Sequence, residues 1–223
     1  QMEADERPLI EENGNWRLDF AAIEKAFASG AKFFLMSSPH NPLGLIYGKE
    51  DLSKLAELAK AHDVIIISDE IHAPLTFTTG RFVPFLTVSD TAREVGITVT
   101  SASKSWNLAG LKCGFFYTQS EKLREVLAPL AMGIHHRASI TGAFGMVAAF
   151  NDSDEWLDSV IARLEINKKL IDDLVSGTPL KVSNPHNSYL SWIDFRDTDL
   201  GEDPAAVILE RAKIAVNSGL AFG

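Results

Sequence analysis

Cysteine is almost absent. The single Cys113 has no intramolecular partner, which removes the disulfide framework that small secreted folds rely on. Clustered positive charge is missing too. Lys and Arg number 21 against 30 Asp and Glu, a formal net charge of −9, and no basic run interrupts that balance. Neither nucleic acid nor an anionic membrane surface is therefore the expected partner. No apolar stretch approaches the ~20 residues of a bilayer span. The opening Gln1-Met2-Glu3-Ala4-Asp5-Glu6-Arg7-Pro8 lacks the basic-then-apolar order of a signal peptide, and a cytoplasmic setting is the expectation. Internal repeats and low-complexity segments are missing as well.

What is present is an alternation of strand and helix signals over 223 residues, 46% of them hydrophobic, enough for one large domain or for one domain and part of a second. Asp19 can cap a helix that places Phe20, Ile23 and Phe27 on one face. Phe33-Phe34-Leu35-Met36 follows as a short buried strand ending at Ser37-Ser38-Pro39. A helix from about Lys49 to His62 carries Leu52, Leu55, Ala56 and Ala59 at helical spacing. Val64-Ile65-Ile66-Ile67 reads as a strand buried on both faces. Ile97-Thr98-Val99-Thr100 and Gly114-Phe115-Phe116-Tyr117 are two more strands, and a helix from about Glu121 to Leu130 comes next. The pattern is α/β, a mostly parallel sheet covered by helices. A long amphipathic stretch from about Asp154 to Val175 leads out of it. Beyond lie an expected strand at Tyr189–Ile193, a helix from about Asp203 to Lys213 and an expected strand at Ile214–Val216. The expected division is residues 1–155 for the large domain and 156–223 for part of a smaller α+β domain.

Ligands of open α/β sheets bind beyond the carboxyl ends of the strands. Three strand ends here carry unusual polar residues: Ser38-Pro39-His40-Asn41-Pro42-Leu43-Gly44, Ser68-Asp69-Glu70-Ile71-His72, and Ser101-Ala102-Ser103-Lys104 with the following residues to Lys112. Singly, each has a plain explanation. Asn-Pro near Gly is a routine turn, and Asp69 can cap the next segment. Lys104 alone reads as a solvated charge. Asp69, Glu70 and His72 could begin a metal site, but no second His stands at ligand spacing on a helix. His135 and His136 have no motif around them and read as structural, and Cys113 reads as a small core residue.

Together these segments resemble the fold type I pyridoxal-phosphate (PLP) enzymes of the aminotransferase class I/II superfamily. Ser101-Ala102-Ser103-Lys104-Ser105-Trp106-Asn107-Leu108-Ala109-Gly110-Leu111-Lys112 resembles the cofactor-lysine signature over a dozen positions. Asn41-Pro42-Leu43-Gly44 is similar to the Asn-Pro-x-Gly turn and Asp69-Glu70 to the Asp-Glu pair. His72, where many aminotransferases carry Tyr, resembles the cystathionine β-lyase (C–S lyase) branch, as does the segment from Asn187 to Arg196. The resemblance implies PLP as cofactor, Lys104 as its Schiff-base lysine and base at Cα, and Asp69 at the pyridine nitrogen. It implies Asn41 at the phenolic oxygen, Ser101, Ser103 and Lys112 at the phosphate, and His72 near the ring or the phenolic oxygen with no proton-transfer role. The implied activity is cleavage of cystathionine-like or cysteine-type thioethers to thiol, pyruvate and ammonia, on an amino-acid substrate in a homodimer. Transamination uses the same residues and is the alternative; a non-catalytic interaction module that keeps the fold is a third. The resemblance also implies that the chain starts midway through the large domain. A phosphate-binding turn and a ring-stacking aromatic would precede it. A carboxylate-gripping Arg, which Arg196 does not match, would follow Phe222-Gly223.

Overall fold

A computed structural model of the chain describes residues 4–12, 14–130, 133 and 137–222. His135 and His136 lie outside the described residues, so the reading of them as structural has no counterpart here.

The central sheet has four strands in the order β3-β4-β5-β6, namely Phe33–Ser37, Ile65–Asp69, Gly96–Thr100 and Phe115–Tyr117. β3, β4 and β5 run parallel, while β6 pairs antiparallel with β5. A short hairpin, β1 (Ile10–Glu12) and β2 (Asn15–Arg17), precedes them; its alternation is too short to stand out in the sequence.

Helix α1 (Phe20–Ala28) begins where expected, because the Asp19 carboxylate accepts the Ala22 N–H at 3.0 Å. Helix α2 (Lys49–Ala61) buries Leu52, Leu55, Ala56 and Ala59 completely. These residues, spaced three and four apart, form one stripe. They pack on Met36 and Ile66 of the sheet together with Ile23, Phe27, Phe85 and Leu86, which makes the main core. Helix α3 (Asp90–Val95), capped by the Ser89 hydroxyl, closes the same side.

β4 departs from the expectation of burial on both faces. Ile66 and Ser68 are fully buried, whereas Ile65, Ile67 and Asp69 are only partly covered. β3, also expected to be buried, departs further, with Met36 3% but Phe33 52% and Leu35 73% exposed. Side chains alternate across a strand, and among the described residues the core-forming helices cover one face.

Helix α4 (Glu121–Leu127) follows β6 and ends in a 3₁₀ turn at Ala128–Leu130. Helix α5 (Ile140–Asp152) was not foreseen, and the long α6 (Asp154–Val175) begins directly after Ser153. Glu165 of α6 ties it to the loop after β4 by accepting the Thr78 N–H at 2.7 Å and hydroxyl at 2.6 Å. Two-residue strands β7 (Lys181–Val182) and β8 (Ile193–Asp194) then pair antiparallel, and helix α7 (Pro204–Ala212) follows. The strand expected at Tyr189–Ile193 shrinks to its last residue and Asp194. The one expected at Ile214–Val216 does not form, and Ile214 and Val216 are exposed there, with no neighbouring strand among the described residues to take their N–H groups. No helix among the described residues is long and apolar enough to cross a membrane.

Candidate active site

The parallel register levels the three polar strand ends. Ser37 lies opposite Asp69 and Asp69 opposite Val99, so the segments following β3, β4 and β5 leave the sheet on one rim. Main-chain bonds continue the ladder, Ser38 N–H to Asp69 O at 2.9 Å and Glu70 N–H to Val99 O at 2.8 Å.

After β3, the Ser37 hydroxyl accepts the Asn41 N–H at 3.2 Å and sets the turn, leaving Asn41 exposed on the rim. Gly44 closes that turn at φ +62, a conformation costly to side chains with a Cβ. His40 beside it is partly buried, and that desolvation pulls its imidazole below the ordinary histidine range.

After β4, the neighbouring carboxylates part. Glu70 turns into the core, where one oxygen accepts the Phe85 N–H at 2.9 Å and the Ser68 hydroxyl at 3.1 Å. Burial raises its pKa, and its role is to fasten the Phe85 turn. Asp69 stays on the rim. Its Oδ1 accepts the Ile71 N–H at 3.1 Å, capping the next segment, and Oδ2 has no hydrogen-bond partner among the described residues.

His72 is buried. Burial holds its imidazole below the ordinary range, the positive Lys104 adds to that shift, and Asp69 opposes it. Lys104, Asp69 and His72 therefore share one field although 35 positions separate Asp69 from Lys104.

After β5, the lysine loop is held by its apolar members. Ala102 and Trp106 are buried against Ala149 of α5, with Leu108, Met146 and Leu157 around them. The Trp106 ring meets Phe150 edge-on at 4.8 Å. With Ala102, Ser105 and Trp106 turned inward, Lys104 is turned out to the solvent side. The Ser101 hydroxyl donates to Cys113 O at 2.5 Å and accepts the Ser103 N–H at 3.0 Å, and the two serine hydroxyls are 2.6 Å apart. This fold-back carries the next turn to Lys112, which stands exposed at φ +48. Gly142 of α5 makes room for it: a Cβ there would meet Leu111 O at 2.5 Å. Neither Lys104 nor Lys112 forms a salt bridge among the described residues.

Lys104, Ser103 and Ser105 open onto a cleft of about 270 Å³, walled by Leu75, Trp156, Val160 and Tyr189. The buried Ser105 hydroxyl has no hydrogen-bond partner among the described residues. Cation, hydroxyls and an unpaired carboxylate oxygen on one rim can hold an anionic group and a protonated ring nitrogen together. Among the described residues, no group of three or more His, Cys, Asp or Glu is placed to hold a metal ion.

The residues 185–189 are part of this site in a way the sequence did not indicate. Asn187 is fully buried and donates through Nδ2 to His72 O at 2.7 Å and to Thr76 Oγ1 at 3.2 Å. Ser188 Oγ is 3.3 Å from His72 Nδ1, and the Tyr189 ring lies 5.7 Å from the imidazole. The resemblance singled out this segment without giving it a role.

A parallel sheet with a lysine loop, an acidic rim residue and an Asn-Pro turn at its carboxyl edge is the large-domain architecture of the PLP-dependent transferases. The match to aminotransferase class I and II spans residues 5–223, and the chain belongs to that family. It is 37% identical to the cystathionine beta-lyase of Corynebacterium glutamicum over 92% of its length and 55% of the relative's. Cystalysin from Treponema denticola, which contains a pyridoxal 5′-phosphate cofactor, superposes with a TM-score of 0.87 at 26% identity, covering 96% of this chain and 56% of that one. An aspartate aminotransferase of Bacillus subtilis is 26% identical over 96% of this chain and 56% of its own length. The chain thus spans about half the length of the relatives it matches.

Proposed function

We infer that the chain carries the central part of a PLP-dependent carbon–sulfur β-lyase acting on cystathionine-like or cysteine-type thioethers, with residues 1–155 in the cofactor domain and 156–223 in the smaller one. The observation that carries this is the unpaired Lys104 at the mouth of a cleft, sharing its field with His72 and with an Asp69 that has one oxygen to spare. The resident group fits what these residues offer. Lys104 would be the point of attachment for its aldehyde, and Asp69 Oδ2 would keep a proton on the pyridine nitrogen. Asn41 would donate to the phenolic oxygen. Ser101, Ser103 and Lys112 would hold the phosphate. Pyridoxal 5′-phosphate, when bound, supplies the sink for the electron pair left at Cα.

The chain's own work is then proton management. The Lys104 amine takes the Cα proton, the Cβ–S bond breaks, and the thiolate leaves with its electron pair. Addition of one water to the remaining three-carbon enamine yields pyruvate and ammonia. His72, held neutral by burial, adds no charge beside Lys104. The wall of Leu75, Trp156, Val160 and Tyr189 keeps water from that side of the lysine. The identity with cystathionine beta-lyase supports elimination. Transamination by the same residues is the rival reading, which the aspartate aminotransferase relative keeps in play.

The test is direct. The protein supplied with pyridoxal 5′-phosphate is reduced with borohydride and the labelled peptide mapped; attachment anywhere but Lys104 overturns the site. Pyruvate release from cystathionine without added keto acid supports the lyase, while strict dependence on a keto acid establishes the aminotransferase.

A further inference from the structure

Ser188 is a strained residue in a buried place. Its φ is +80, in the left-handed region that favours glycine, yet a serine stands there 3% exposed. Glycine would relieve the backbone, so the hydroxymethyl group needs a reason to be present. The main chain around it is clamped from three sides. Ser188 N–H donates to Leu75 O at 3.3 Å, His186 N–H to Gly44 O at 3.0 Å, and Phe77 N–H to His186 O at 2.9 Å. The Asn187 amide holds the carbonyl of His72 itself. These bonds place Ser188 Oγ against one atom, Nδ1 of His72.

A buried hydroxyl must find an acceptor for its proton. Nδ1 is the only hydrogen-bond partner of Ser188 Oγ among the described residues. Were Nδ1 protonated, the serine proton would have nowhere to go. We propose that Ser188 is a positioning residue whose hydroxyl donates to Nδ1 of His72 and locks the imidazole as the Nε2–H tautomer beside Lys104. The charged groups that act on the ring are Lys104 and Asp69, the first disfavouring and the second favouring a proton. Tyr189 covers the ring at 5.7 Å. With Nδ1 engaged and Nε2 carrying its proton, His72 is a fixed dipole and no base. Its consequence for turnover rests on Lys104 being the cofactor lysine; the tautomer itself does not.

The experiment uses the full chain with ¹⁵N-labelled histidine and no cofactor, reading the imidazole nitrogens of His72 by long-range ¹H–¹⁵N correlation near neutral pH. The wild type is expected to show an unprotonated Nδ1 and a protonated Nε2. Ser188→Gly, which removes both hydroxyl and strain, should keep or raise the melting temperature while the single-tautomer pattern collapses to a mixture. Ser188→Ala should do the same to the tautomer without the gain in stability. A wild-type His72 protonated at Nδ1, or a Gly variant that keeps the Nε2–H pattern, overturns the proposal. Borohydride labelling of all three proteins, supplied with pyridoxal 5′-phosphate, is scored separately, so failure at Lys104 indicts the cofactor reading and leaves the tautomer result standing.

Discussion

Replacing Gly44 by Ala tests how the Asn-Pro turn is joined to the rest of the site. Gly44 sits at φ +62, its N–H donating to His40 O at 2.8 Å and its carbonyl accepting from His186. An added Cβ would lie 2.4 Å from Asn187 O and 2.6 Å from Pro185 Cβ. The first is backbone and the second part of a ring, so neither can swing aside. Holding Ala in the left-handed region costs about 1–2 kcal/mol, and overpacking a tight contact about 1–3 kcal/mol more, for a total of roughly 2–5 kcal/mol. The contact part would push Asn187 off its bond to His72 O, so the damage should reach the imidazole as well as Asn41. Gly177 is the control. It has φ +77 with open space around its missing Cβ, and Gly177→Ala should cost only the backbone term of about 1–2 kcal/mol. Urea unfolding of both variants measures the difference. Equal losses for the two, or a Gly44→Ala protein with its His72 resonances unmoved, refute the reasoning.

Leu52→Ala removes a fully buried side chain from α2 and should destabilise the chain by about 2–5 kcal/mol in the same unfolding assay. For Glu70, burial puts the folded-state pKa above the ordinary 4.5. The folded protein then holds that proton more tightly, and Glu70 contributes most below about pH 4.5 and loses ground as pH rises through the folded value. Melting curves against pH should therefore show wild type falling relative to Glu70→Gln across that window; parallel curves would contradict the buried-carboxylate reading. Asp69→Asn should leave borohydride labelling at Lys104 intact while slowing pyruvate release by about a hundredfold or more, the scale of losing a preorganised electrostatic partner.

Much of the site was legible because it is local. The run from Ser101 to Lys112 encodes its own geometry: Ala102, Ser105 and Trp106 turn inward and anchor the loop, and Lys104 among them is turned out. Asp19 as a cap and the Leu52, Leu55, Ala56 and Ala59 stripe were equally plain, since caps and helical spacing act within one or two turns. The reading of β4 as buried on both faces went astray because a β-branched run looks alike whether one face or two is covered. The strand expected at Ile214–Val216 failed for a related reason. Strand propensity offers a candidate, and only a neighbour with matching register makes it a strand.

The sequence by itself determined the family, the polar segments at three strand ends and the candidate lysine, because those signals are short-range and chemically specific. Tertiary structure alone decided that Asp69 stays on the rim while Glu70 enters the core, since alternation says they part but not which face is which. It alone brought Asn187 and Ser188 onto His72, contacts spanning 115 and 116 positions of chain. No periodicity links residues so far apart. Their meeting depends on how helix α6 returns the chain to the sheet, and that is a property of packing.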